Sequence, residues 1–246
     1  MRRARLAVLV LLGVLGAAGC GSSTSHSSQT QTSSTAAGSS TSTAAATGSA
    51  STSASPAGSP GACRTVPAPA PKGPQHLTPP KQGLDPSRTY TVTVATNCGT
   101  FAFDLDVKHS PKTSASIDYL VRRGFYNGLT FHRVAAGFVI QGGDPLGNGG
   151  GGPGYTVVEA PPAGTQYVRG VVAMAKTETD PSGASGSQFF VVTGPNVGLP
   201  PQYAVAGHVV SGIGVVQRIG ALPTNPPGDG MPTTTVVMSK VTVASH

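Results

Sequence analysis

The chain has 246 residues, only 10% of them charged, and a formal net charge of +7 at pH 7. Arg2, Arg3 and Arg5 sit at the extreme N-terminus, and residues 86–246 carry ten Lys and Arg against eight Asp and Glu. That balance leaves no basic footprint and excludes a nucleic-acid partner. Residues 21–62 contain almost nothing but Ser, Thr, Ala, Gly, Gln and Pro, so they cannot bury enough apolar area to offset backbone entropy. One domain in the remainder is expected.

The chain opens on M-R-R-A-R, an apolar run from Leu6 to Leu15, and A-A-G-C ending at Cys20. Ten apolar helical residues rise about 15 Å against a hydrocarbon core of about 30 Å, too short for a stable span. The layout is that of a secretory signal peptide. Ala17, Ala18 and Gly19 before Cys20 resemble the bacterial lipoprotein cleavage box, although Ala17 stands where that family usually has Leu. The resemblance implies a signal peptide over 1–19, lipidation of Cys20 and tethering to the extracytoplasmic face of the cell membrane. An ordinary signal peptide with an incidental Cys is the alternative.

Residues 20–87 are predicted to be a disordered tether, Ser/Thr/Ala-rich and then Pro-rich, with a coil reach of about 45 Å. Within and just beyond it lie Cys63 and Cys98. An even pair in a chain predicted to face an oxidising compartment favours a disulfide. Two free thiols or a metal site are the alternatives, the latter poor because no further Cys or His stands at ligand spacing.

Alternation over Tyr90–Ala95 and Thr100–Leu105, with Asn97-Cys98-Gly99 between, predicts a β-hairpin. A helix follows from Pro111-Lys112-Thr113, capped by Thr113, with Ile117, Leu120 and Val121 on one face and Gly124 at its end. Short β-like runs come at 130–134, 138–142, 168–174, 188–193, 204–210 and 235–243. A second helix fits 211–219. Many short strands and two helices predict a mainly β fold, barrel or sandwich.

Residues 131–145 read F-H-R-V-A-A-G-F-V-I-Q-G-G-D-P. This segment resembles the long signature of the cyclophilin-type peptidyl-prolyl cis/trans isomerases. G-S-Q-F-F-V-V at 186–192 is similar to a second block of that family, and M-A-K at 174–176 to the M-A-N preceding it. The resemblance covers about residues 88–244, within a domain expected over 88–246. It implies an eight-stranded antiparallel β-barrel capped by two α-helices, with the active site on the outer barrel surface and no cofactor or metal. It also implies Pro-containing peptides or exported proteins as partners, and a monomer.

The chemistry suits the residues. Rotation about an X-Pro bond breaks amide resonance against a barrier of about 18–20 kcal/mol. As the bond twists, the prolyl nitrogen regains a lone pair, so a fixed cationic donor aimed at it favours the transition state. The resemblance assigns that role to Arg133, with His132 positioning it. It assigns a proline pocket to Phe138, Val139, Phe190 and Leu199, bordered by Tyr203. Gln141 and Gln188, with main-chain groups of Ala175 and Lys176, would hold the peptide. Gly198 stands in place of the Trp of cyclosporin-sensitive members, which implies weak cyclosporin binding. A surface module that binds Pro-containing peptides without turning them over is the competing reading, and a structural envelope lipoprotein with a relic domain is a third.

Overall fold

The structure is a computed structural model that describes residues 62–246; the predicted signal peptide, Cys20 and the predicted tether up to residue 61 lie outside the described residues. The predicted hairpin forms β1 (Tyr90–Thr96) and β2 (Gly99–Leu105), with Val92, Val94, Phe101 and Phe103 turned inward. The other long strands are β3 (Phe131–Ala135), β4 (Val139–Gly142), β6 (Val171–Met174), β8 (Phe189–Val192), β9 (Val205–Ser211) and β12 (Met238–Ser245). All pair antiparallel in the order β3-β4-β8-β6-β9-β2-β1-β12. The ring closes where the approach to β12 meets the start of β3: Thr130 bridges Val237, Phe131 donates to Val236 O at 3.0 Å, and Met238 donates to Leu129 O at 2.8 Å. The result is an eight-stranded antiparallel barrel.

Two helices fill it. α1 (Pro111–Arg122) contributes Ile117, Leu120 and Val121 to the interior cluster, and α2 (Ile213–Gly220) contributes Val216 and Ile219. The predicted cap of α1 is corrected. Ser110 is the N-cap, without a side-chain cap bond, while Thr113 is buried with its hydroxyl unpartnered. The orphan N–H groups of Lys112 and Thr113 instead donate to the Glu159 carboxylate at 3.1 and 2.9 Å. A negative group supplied from another element serves the helix N-terminus as well as a local cap would. Gly124 ends α1 in the left-handed region, at φ 67°.

Two short ladders escape periodicity. β5 (Val157–Val158) pairs with β7 (Ala184–Ser185), and β10 (Thr224–Asn225) with β11 (Asp229–Pro232), which adds to the free edge of β3. Among the described residues no helix is long and apolar enough to cross a membrane.

The largest difference from expectation concerns residues 62–87, the Pro-rich end of the predicted tether. They lie along the barrel as a strap. Cys63 and Cys98 are disulfide-bonded, and Arg64 N donates to Asn97 O at 2.9 Å. Lys72 N reaches Pro145 O and Leu77 N reaches Pro153 O, both at 2.8 Å. Leu77 and Leu84 pack against the interior cluster. A segment too poor in apolar residues to build its own core needs only a few anchors when a formed core lies beside it.

Candidate active site

The site is built by strand register. Arg133 on β3 stands opposite Gln141 on β4, Gln141 opposite Phe190 on β8, and Phe190 opposite Ala173 on β6. Directly paired residues point to the same face of a sheet. Their chain neighbours Val134, Ile140, Val191 and Val172 belong to the barrel interior, so this row faces outward.

A bulge makes the row possible. The β3–β4 register shifts between Phe131 and Arg133, leaving His132 as the extra residue. Without it Phe131 and Arg133, two apart, would share a face; with it Phe131 is buried at 1% exposure and Arg133 points out. His132 is half-buried, and its Nδ1 is buried without a hydrogen-bond partner. Burial pushes its pKa below the ordinary 6.5; the Asp144 carboxylate opposes that and Arg133 adds to it.

The sign of the pH effect follows. Below about pH 6.5 the unfolded chain binds a proton at this histidine that the folded chain resists. Stability is therefore full above that pH and is lost as the pH falls through the folded value. Urea unfolding between pH 7.5 and 5.5 should show that decline, and His132→Gln should flatten it; an identical decline in the variant would contradict the assignment.

Arg133 sits in a line of hydrogen bonds. Its Nε and Nη2 donate to the two carboxylate oxygens of Asp229 on β11, at 2.7 and 2.6 Å. Its Nη1 donates to Gln141 Oε1 at 3.2 Å, and Gln141 Nε2 donates to Gln188 Oε1 at 3.1 Å. Gln188 in turn donates to the carbonyls of Gly149 and Gly151, at 2.8 and 2.9 Å. Guanidinium has five N–H donors, so three are engaged and one on each terminal nitrogen is left for a ligand. The Arg133–Asp229 side chains are 33% and 51% exposed, so the pair adds little stability. What it does is fix the plane of the fork.

Beside the row lies a second apolar cluster, outside the barrel core. Val139 and Phe190 are buried in it with Ala173, Tyr167 and Val205, while Phe138, Ala175, Leu199 and Tyr203 pack half-buried against it. Phe190 and Tyr203 meet edge-on at 5.5 Å. Tyr167 donates its hydroxyl proton to Tyr203 O at 2.6 Å and accepts from Tyr203 N at 2.9 Å, which holds the segment leading into β9 in place. Lys176 Nζ lies 5.7 Å from the Tyr203 ring and donates to Thr177 O and Asp180 O. The Ala175 N–H is already given to Gln188 O at 2.9 Å, leaving its carbonyl for a ligand.

The fold thus brings Arg133, Gln141 and Gln188 together with the apolar set Phe138, Val139, Phe190, Leu199 and Tyr203, and places His132 behind them. Sequence reasoning missed Asp229 and Tyr167. Among the described residues no group of three His, Cys, Asp or Glu side chains is placed to hold a metal.

A cationic donor with fixed geometry beside an apolar patch suits a neutral, proline-containing peptide. Comparison with known proteins agrees. The family model for cyclophilin type peptidyl-prolyl cis-trans isomerase/CLD matches residues 91–243. Peptidyl-prolyl cis-trans isomerase-like 1 of Homo sapiens is 37% identical over 150 residues, covering 59% of this chain and 87% of that protein. The peptidyl-prolyl cis-trans isomerase of Helicobacter pylori is 37% identical over 150 residues, covering 55% of this chain and 90% of that one. A crystal structure of a Cryptosporidium parvum cyclophilin type isomerase superposes with a TM-score of 0.58 at 28% identity, over 64% of this chain and 99% of that chain. A second structure of that isomerase, in the presence of the dipeptide Ala-Pro, gives a TM-score of 0.57 at 28% identity, over 63% of this chain and 99% of that one.

Proposed function

The chain belongs to the cyclophilin-type peptidyl-prolyl cis-trans isomerases and is an enzyme of that activity; from that premise we propose that it turns over X-Pro bonds of exported proteins while tethered to the outer face of the cell membrane. Arg133 is the catalytic donor. Its free N–H groups meet the prolyl nitrogen as the amide twists, where a charged donor in fixed geometry lowers the barrier more than it stabilises the planar ground state. Phe138, Val139, Phe190 and Leu199 hold the proline ring, with Tyr203 closing one side. Gln141 and Gln188, with main-chain groups of Ala175 and Lys176, hold the peptide backbone while the bond turns.

The observation that carries the catalytic assignment is the outward row Arg133, Gln141, Phe190 and Ala173, in register across four strands. The reaction moves no proton, so a neutral His132 behind Arg133 has only a positioning role.

The place of action rests on A-A-G-C at 17–20 and on the Cys63–Cys98 disulfide, a bond suited to an oxidising compartment. Fractionation of cells that produce the full chain tests it. The wild type should sediment with membranes, and Cys20→Ala should move to the soluble extracytoplasmic fraction; full membrane retention of the variant would refute the anchor.

A further inference from the structure

Next to the catalytic row is a cavity of about 570 Å³ lined by Gln141, Gln188, the glycine loop 149–154 and Pro74 and Gln75 of the strap, among others. This volume falls within the range of small-ligand sites and exceeds what one proline needs. The strap is fitted to its place. Leu77 N donates to Pro153 O at 2.8 Å, and Lys72 Nζ reaches the carbonyls that follow α1, Phe125 O at 2.7 Å and Gly124 O at 3.3 Å. Gly154, at φ 96°, has no room for a side chain: a Cβ would lie 2.6 Å from Gln75 O and 2.8 Å from His76 Cα. The glycine loop of the lining is joined to the catalytic row, since Gln188 bonds Gly149, Gly151 and Gln141.

We infer that the strap is part of the substrate site: Pro74 and Gln75 form part of the wall of a cavity that takes a polar, uncharged residue flanking the target proline, so that the strap selects among X-Pro sequences. The chemistry follows from the walls, which include glycine backbone and the side chains of Gln75, Gln141 and Gln188, whose Nε2 groups are held by internal carbonyls so that backbone groups and the remaining lone pairs of the amide oxygens are left for a ligand. The Lys176 ammonium and the Asp180 carboxylate, also on the lining, are each committed to local partners, Lys176 to Thr177 O and Asp180 O and Asp180 to Thr177. Such walls favour a hydrogen-bonding amide or hydroxyl over a charged or large apolar group.

The inference rests on the isomerase reading above, and the test separates the two. NMR exchange would give kcat/KM for Gln-Ala-Pro-Gln and Leu-Ala-Pro-Leu peptides with the full chain, wild type and P74A/Q75A. The wild type should prefer the Gln-flanked peptide, and the variant should reduce that preference by about threefold or more. An unchanged ratio, even with both rates lowered together, would overturn the role of the strap. Acceleration of neither peptide by the wild type would instead overturn the isomerase reading, and this inference with it.

Discussion

Replacing Arg133 by alanine is expected to lower kcat/KM on an Ala-Pro peptide by about 10²-fold without unfolding the domain. A hydrogen bond to a charged group contributes a net 1.5–3 kcal/mol or so, equivalent to about 10- to 150-fold in rate. Bringing an isomerisation of tens of seconds to milliseconds takes about 10⁴-fold, or roughly 5.5 kcal/mol. In the proposed mechanism Arg133 therefore supplies about half of the barrier reduction, and the grip of the groove on the peptide supplies the rest. The variant should retain its fold because the side chain is partly solvated, at 33% exposure. Asp229→Asn in the same assay separates charge from placement: the guanidinium stays charged but loses the carboxylate that fixes its plane. There kcat should fall severalfold with KM little changed. Unchanged turnover by a folded Arg133→Ala protein would remove this residue from the mechanism.

Loss of the Cys63–Cys98 bond is expected to destabilise the domain by about 2–4 kcal/mol, from the loop entropy restored to the unfolded chain. The two residues are 35 apart in sequence. For a unit of this size each kcal/mol moves Tm by about 2–4 °C, so Cys63→Ala should melt roughly 4–16 °C lower. Cys98 is buried at 3% exposure, where a free thiol packs as a small apolar group, so the effect comes from the lost link. Hydrogen exchange should also speed up at Leu77 N and Lys72 N, because the first anchor of the strap is gone. An unchanged Tm would mean that the strap is held without its staple.

The residues near the chemistry were legible because they sit in long ordered motifs, and the hairpin because Tyr90–Ala95 alternates cleanly. The partners of those residues were not. Asp229 stands in D-G-M-P, a segment without β propensity, and becomes a ligand of Arg133 only because β11 adds to the edge of β3. Its sequence distance from Arg133, 96 residues, hides it from any local pattern. Tyr167 is similar: its position is defined by two bonds to the backbone of Tyr203, 36 residues on. Thr113 looked like a cap, but the carboxylate that serves α1 comes from Glu159. The strap escaped for a different reason, since its composition says only that it has no core of its own and nothing about borrowing one through Leu77 and Leu84.

The most direct test of the account is NMR exchange spectroscopy on an Ala-Pro peptide with the full chain and with Arg133→Ala. Cis–trans exchange should accelerate strongly with the wild type and about 10²-fold less with the variant, while peptide chemical shifts show that both bind. Binding by the wild type without acceleration would contradict the account and leave a peptide-holding surface in place of an isomerase.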